Sequence, residues 1–185
     1  MGVKGRRKIL LKDEPTSLKD VESVLNMARE QGFINHYEVD IEEIVKSHDE
    51  LILEKDPNME ASMSGSLSKN KISNKWVIKI NAKHHIKRQR FTMAHEFAHY
   101  ILHKDDQGKF VDEEIYFRKD HDSPIEYNAD LFAAKLLMPE DLFRQAINED
   151  GVKKISELSE LFNISKAAIA IRAEKLGFKT TAHEK

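Results

Sequence analysis

A chain of 185 residues has room for one compact domain, or for one domain with a small helical appendage. With 40% hydrophobic and 34% charged residues it has the balance of a globular protein rather than a disordered one. Thirty basic against thirty-two acidic side chains leave a formal charge of −2, which gives no global pull toward nucleic acid or an anionic membrane.

The chain holds no cysteine, so disulfides are excluded and any metal site must be built from His, Asp or Glu. That composition fits a reducing cytoplasm, the expected location. Basic runs at residues 4–12 and 83–90 and an acidic lean over 105–126 read as solvated faces. Ile9-Leu10-Leu11 is too short for a signal peptide, and no apolar run is long enough to span a bilayer.

Residues 1–16 form a polar, basic lead ending near Pro15. A helix is expected from about Ser17, with Val21, Val24, Leu25 and Ala28 at helical spacing, stopped by Gly32. A second helical stretch covers Asp40 to Lys46. Leu51-Ile52-Leu53 reads as a short strand, and residues 62–68 alternate serine with Met63, Gly65 and Leu67 as a half-buried strand does. Trp76 to Ile80 is the clearest strand, with Trp76, Ile78 and Ile80 facing one way; Asn70, Ser73 and Asn74 join it to the preceding strand as a hairpin or meander. The long helix from Ile86 to His103 carries Ala94, Phe97, Ala98 and Ile101 as a core stripe. Residues 104–124 are charged and irregular, with a strand expected at Glu114 to Phe117. A helix follows from about Pro124 to Leu137, stopped by Pro139. Two short helices around Asn163-Ile164-Ser165, over Ile155 to Leu176, close the chain before Gly177. The expected division is a lead of 1–16, a main domain of 17–148 and a C-terminal helical segment of 149–185.

The long helix contains His95-Glu96-Phe97-Ala98-His99. Residues four apart on a helix are neighbours, so both imidazoles project from one face and can share a tetrahedral metal. Glu96 stands beside the open coordination site, where a carboxylate can take a proton from a water that the metal acidifies. The plain alternative is two satisfied histidines with an incidental glutamate, but polar triplets on an apolar helix face need a reason.

Two histidines leave the third ligand open. His103 lies about 12 Å from His95 along a straight helix, too far to bind the same ion, and reads as an exposed helix-end residue. The metzincin pattern fails because positions 102 and 105 are Leu102 and Asp105. A carboxylate on the next helix remains. Glu126 and Asp130 share a face one turn apart: Glu126 is the candidate ligand, and Asp130 the candidate acceptor from the far nitrogen of a ligating histidine. The plain alternative for Glu126 is an ordinary first-turn carboxylate favoured by the helix dipole, but an apolar run follows at once and favours the ligand.

The stretch Arg90 to His103 resembles the signature helix of the ImmA/IrrE metallopeptidases. Glu126 to Asp130, followed by Phe132 to Pro139, resembles that family's second signature. The order of elements also matches over about residues 17 to 178, including a sheet that ends in Ile80-Asn81 before the histidine helix. Asn128 stands where the family often has a second glutamate, which leaves Glu126 alone at the ligand position; Asp130 stands where asparagine is common. The resemblance implies an α+β, zincin-like core with a small, mostly antiparallel sheet, an active-site helix and a helix-turn-helix-like C-terminal segment. It implies one zinc ion on His95, His99 and Glu126, although such a set also accepts manganese. Glu96 would be the catalytic base. The implied partner is a helix-turn-helix repressor, whose cleavage or inactivation induces a mobile element, a prophage or a stress response.

The strand Trp76 to Ile80 is a candidate for pairing with an extended substrate, with Val77 and Lys79 facing outward. The oxyanion donor stays open among Tyr116, Arg118 and His121. Residues 153–185 hold seven basic against four acidic side chains, a weak basis for DNA binding, so a helical module packed on the main domain or touching a protein partner is favoured. The alternative function is a non-proteolytic antirepressor or toxin–antitoxin component that keeps the scaffold.

Overall fold

The computed structural model describes residues 20–104 and 124–179. The basic lead, the strand expected at 114–117 and the oxyanion candidates Tyr116, Arg118 and His121 lie outside the described residues.

Helix α1 (Val21–Glu30) begins at the first residue of the apolar spacing rather than near Ser17. Asp20 caps it, its carboxylate accepting from the backbone N–H groups of Glu22 and Ser23, which satisfies donors that the helix itself cannot. Gly32 ends it at φ +74, so that the Phe33 N–H reaches back to the Ala28 carbonyl at 2.8 Å. The chain then forms a two-stranded antiparallel ribbon, β1 (Ile34–Asn35) and β2 (Glu38–Val39), which local alternation was too short to reveal. Asp40 caps α2 (Ile41–Lys46) in the same way as Asp20 caps α1.

The main sheet has three strands: β3 (Leu51–Asp56), β4 (Gly65–Lys69) and β5 (Trp76–Asn81). Their order is β3-β5-β4. The expected hairpin partners β4 and β5 pair antiparallel, Gly65 opposite Ile80, while β3 joins the other edge of β5 in parallel, Leu51 opposite Trp76. The sheet is therefore mixed, and β5 is its central strand. This overturns two expectations. Both hydrogen-bonding edges of β5 are occupied, so it cannot take a substrate strand; and Val77 is buried, at 5% exposure, whereas Lys79 two residues on is half-exposed and pairs with Glu54.

Helix α3 (Ile86–His103) packs on β4, β5 and α2, and against α4 (Pro124–Leu137). Its stripe of Ala94, Phe97, Ala98 and Ile101 is buried as expected. Helix α5 (Glu140–Asn148), absent from the sequence reading, begins directly after Pro139. Proline ends α4 but is well tolerated at the mouth of a new helix, and Phe143 and Ala146 bury one face. Helices α6 (Ile155–Leu161) and α7 (Lys166–Lys175) follow. Together these elements give an α+β, zincin-like fold.

The C-terminal pair shares the hydrophobic core of the rest: Ile155, Leu158, Phe162, Ile164 and Ile169 belong to one cluster with Leu25, Ile44, Phe97 and Leu136. Polar ties add to it. The buried Arg90 of α3 donates to the Val39 carbonyl at 2.8 Å and the Asn163 carbonyl at 3.2 Å, and pairs with Glu38. Phe162 is fully buried between Phe143 and Tyr37, at ring-centroid distances of 5.3 and 5.5 Å. Phe162→Ala should therefore cost about 3–5 kcal/mol of global stability, read from the denaturant midpoint. A loss under about 1 kcal/mol, or a separate transition for the C-terminal helices, would contradict a shared core.

Candidate metal centre

Helix periodicity sets the first half of the site. His95 and His99 lie one turn apart on α3, and their Nε2 atoms stand 3.0 Å from each other. Helix α4, packed against α3 with the Phe132 ring 6.5 Å from that of Phe97, presents Glu126 from its first turn. Glu126 Oε2 is 3.2 Å from His95 Nε2, and Oε1 is 3.4 Å from His99 Nε2. One turn further along α4, Asp130 Oδ1 accepts from His95 Nδ1 at 2.9 Å. That bond fixes the ring so that Nε2, with its lone pair free for a ligand, faces His99 and Glu126.

These residues fit a metal ion. Ligands of a tetrahedral zinc at about 2.0–2.1 Å stand roughly 3.3 Å apart. The observed separations of 3.0, 3.2 and 3.4 Å match that edge length. Two imidazole nitrogens facing each other at 3.0 Å share at most one proton, and Glu126 Oε1 is buried with no hydrogen-bond partner among the described residues. Buried acceptors converging on one point are the donor set of a cation site. Among the described residues no other trio of such side chains comes together.

The electrostatics agree. Burial works against a charged His95, yet the hydrogen bonds to Asp130 and Glu126 push its pKa up to about 10. Surroundings that hold a proton so firmly favour a divalent cation in its place. Burial, with His95 and His103 adding to it, pushes His99 down to about 3, which keeps it in the neutral form that binds metal. Glu96 is 5% exposed, and burial, opposed by His95 and reinforced by Glu126, pushes its carboxyl up to about 7.

His103 is half-buried rather than exposed, its ring 5.7 Å from that of His99, because α3 is covered almost to its end. Sequence reasoning passed over Gly65, where an added Cβ would meet Thr92 and Glu96. A glycine inside an alternating strand was the available signal. Asp130→Asn keeps the shape of the side chain and removes its charge. Metal affinity should fall about 10–100-fold in a competition titration, and an unchanged affinity would separate Asp130 from the centre.

The IrrE N-terminal-like domain, a peptidase family, matches residues 45–174. The chain belongs to that family. The Metallopeptidase ImmA of Bacillus subtilis (strain 168) is 27% identical over 156 residues, 83% of each chain. A solved structure, a Mycobacterium tuberculosis transcriptional regulator, shares the fold with a TM-score of 0.58 at 13% identity, over 89% of this chain and 48% of that one. This chain spans about half the length of that regulator. The IrrE-like family is one of metallopeptidases, and a metal ion belongs to such a centre. Among the described residues no helix is long and apolar enough to cross a membrane.

Proposed function

We propose that this chain is a zinc-dependent endopeptidase that cleaves a helix-turn-helix transcriptional repressor in the cytoplasm and so induces the genes the repressor silences. His95, His99 and Glu126 hold one zinc ion and Glu96 is the general base. The observation that carries this reading is the convergence of three donor atoms from two helices beside a buried carboxylate. When bound, the ion supplies Lewis acidity, lowering the pKa of a water and polarising the scissile carbonyl.

The protein's own groups do the rest. Asp130 orients the His95 ring. Glu96 accepts a proton at its carboxylate and returns it to the leaving amine, the double role of a general base that then acts as a general acid. The substrate strand is assigned to β4, which pairs with β5 on one edge only among the described residues and packs on α3. Backbone pairing there would hold an extended peptide across Glu96.

The repressor as substrate rests on the resemblance of the two signatures. Its test is incubation of the zinc-loaded chain with candidate helix-turn-helix repressors from the same organism, followed by mass spectrometry of the products. A single chelator-sensitive cut supports the proposal. An intact repressor that nevertheless releases its operator, with Glu96→Gln as effective as wild type, would make the chain a non-proteolytic antirepressor.

A further inference from the structure

Strand β4 crosses α3 so closely at Gly65 that no side chain fits. A Cβ there would stand 2.5 Å from Thr92 Cγ2, 2.9 Å from the Lys79 carbonyl oxygen and 3.2 Å from Glu96 Oε1. Gly32, Gly151 and Gly177 serve a different purpose: they take positive φ, and a Cβ on them meets nothing within 4 Å. Gly65 is present for space. Thr92 and Glu96 are one turn apart on α3, so the strand rests on the helix face that carries the base.

The strand cannot yield easily. Arg88 of α3 donates to Ser64 Oγ at 2.8 Å, and the Asn81 N–H donates to the Ser64 carbonyl at 2.9 Å. The fully buried Asn81 amide also donates to the carbonyls of Met63 and Glu60 at 2.8 and 3.0 Å. The Glu96 carboxylate is the softer party. Its Oε2 is buried with no hydrogen-bond partner among the described residues, so no bond from that oxygen would hold the carboxylate against a Cβ placed 3.2 Å from Oε1.

We propose that Gly65 is a positioning residue for Glu96: its bare backbone lets β4 press on α3 and confines the Glu96 carboxylate to one place beside His95 and His99. This rests on the reading of Glu96 as the base. A methyl group at position 65 displaces the carboxylate and leaves the three ligand side chains alone.

The test uses acetohydroxamate, a small zinc chelator whose hydroxyl hydrogen-bonds to such a base, titrated calorimetrically into the zinc-loaded full chain. Gly65→Ala should retain zinc and bind acetohydroxamate about 10-fold more weakly or worse, as Glu96→Gln should, since each removes a charge-assisted hydrogen bond. In the Glu96→Gln background, Gly65→Ala should cost less than about threefold more, because the two changes act through one group. Equal losses in both backgrounds would make Gly65 a packing residue and overturn the proposal. Thr92→Ser, which removes the nearest clashing atom, supplies a folded variant if Gly65→Ala aggregates. Binding should stay weak in the pair, because the methyl group still faces Glu96 Oε1; recovery would make the clash with Thr92 the cause and overturn the proposal. If neither the single nor the paired variant folds, Gly65 is a packing requirement and the proposal is overturned. Wild-type-like binding by Glu96→Gln would instead remove Glu96 as the base, and the role of Gly65 with it.

Discussion

Glu96→Gln should leave one zinc ion in place and lower the rate of repressor cleavage about 10²–10⁴-fold, the range that a lost general base commands. Glutamine has the same shape as glutamate and cannot take a proton at neutral pH. The fold has no reason to resist the change. The wild-type carboxylate is buried and one of its oxygens has no hydrogen-bond partner among the described residues, an arrangement that costs stability when charged. The variant should therefore melt at or above the wild-type temperature. Full zinc content with lost cleavage separates the base from the ligands; cleavage within a few-fold of wild type would remove Glu96 from the chemistry.

His99→Ala should abolish zinc-linked stabilisation. A ligand that binds only the folded state stabilises it by about 4 kcal/mol at a free concentration 1,000-fold above its Kd, or roughly 10 °C in Tm for a chain of this size. Wild type and Glu96→Gln should both show that rise on adding zinc. His99→Ala should show none, because two remaining ligands from different helices cannot close a tetrahedral site. The metal-free variant should also be modestly less stable than metal-free wild type, since His99 is 1% exposed and its removal leaves a gap beside the core. A zinc-dependent rise in His99→Ala equal to that of wild type would place the ion elsewhere.

The histidine helix was legible because helical periodicity alone decides where His95, Glu96 and His99 point, and the stripe through Phe97 and Ala98 says which face is covered. Glu126 and Asp130 could be singled out only as a pair on a second apolar helix; their approach to α3 is tertiary, and no spacing encodes 3.2 Å between Glu126 and His95. Strand β5 was recognised as a strand but misread as an edge. Its parallel partner β3 lies across an intervening strand in the chain, and pairing over that distance leaves no local mark. The reading of Val77 as outward-facing failed for the same reason. Helix α5 was missed because Pro139 stops one helix and opens the next. Gly65 looked like any small residue in an alternating strand; its meaning comes from Thr92 and Glu96, which lie more than 25 positions away in the chain.

The proposed centre is shared between α3 and α4, and Glu126 is the residue on which it turns. The direct measurement is the zinc count per chain by native mass spectrometry, for wild type beside Glu126→Ala at matched free zinc. One ion on wild type, with affinity lost by orders of magnitude in Glu126→Ala, is the predicted result. One ion held equally well by both proteins would show that α4 does not supply the third ligand and would rule out a centre shared by the two helices.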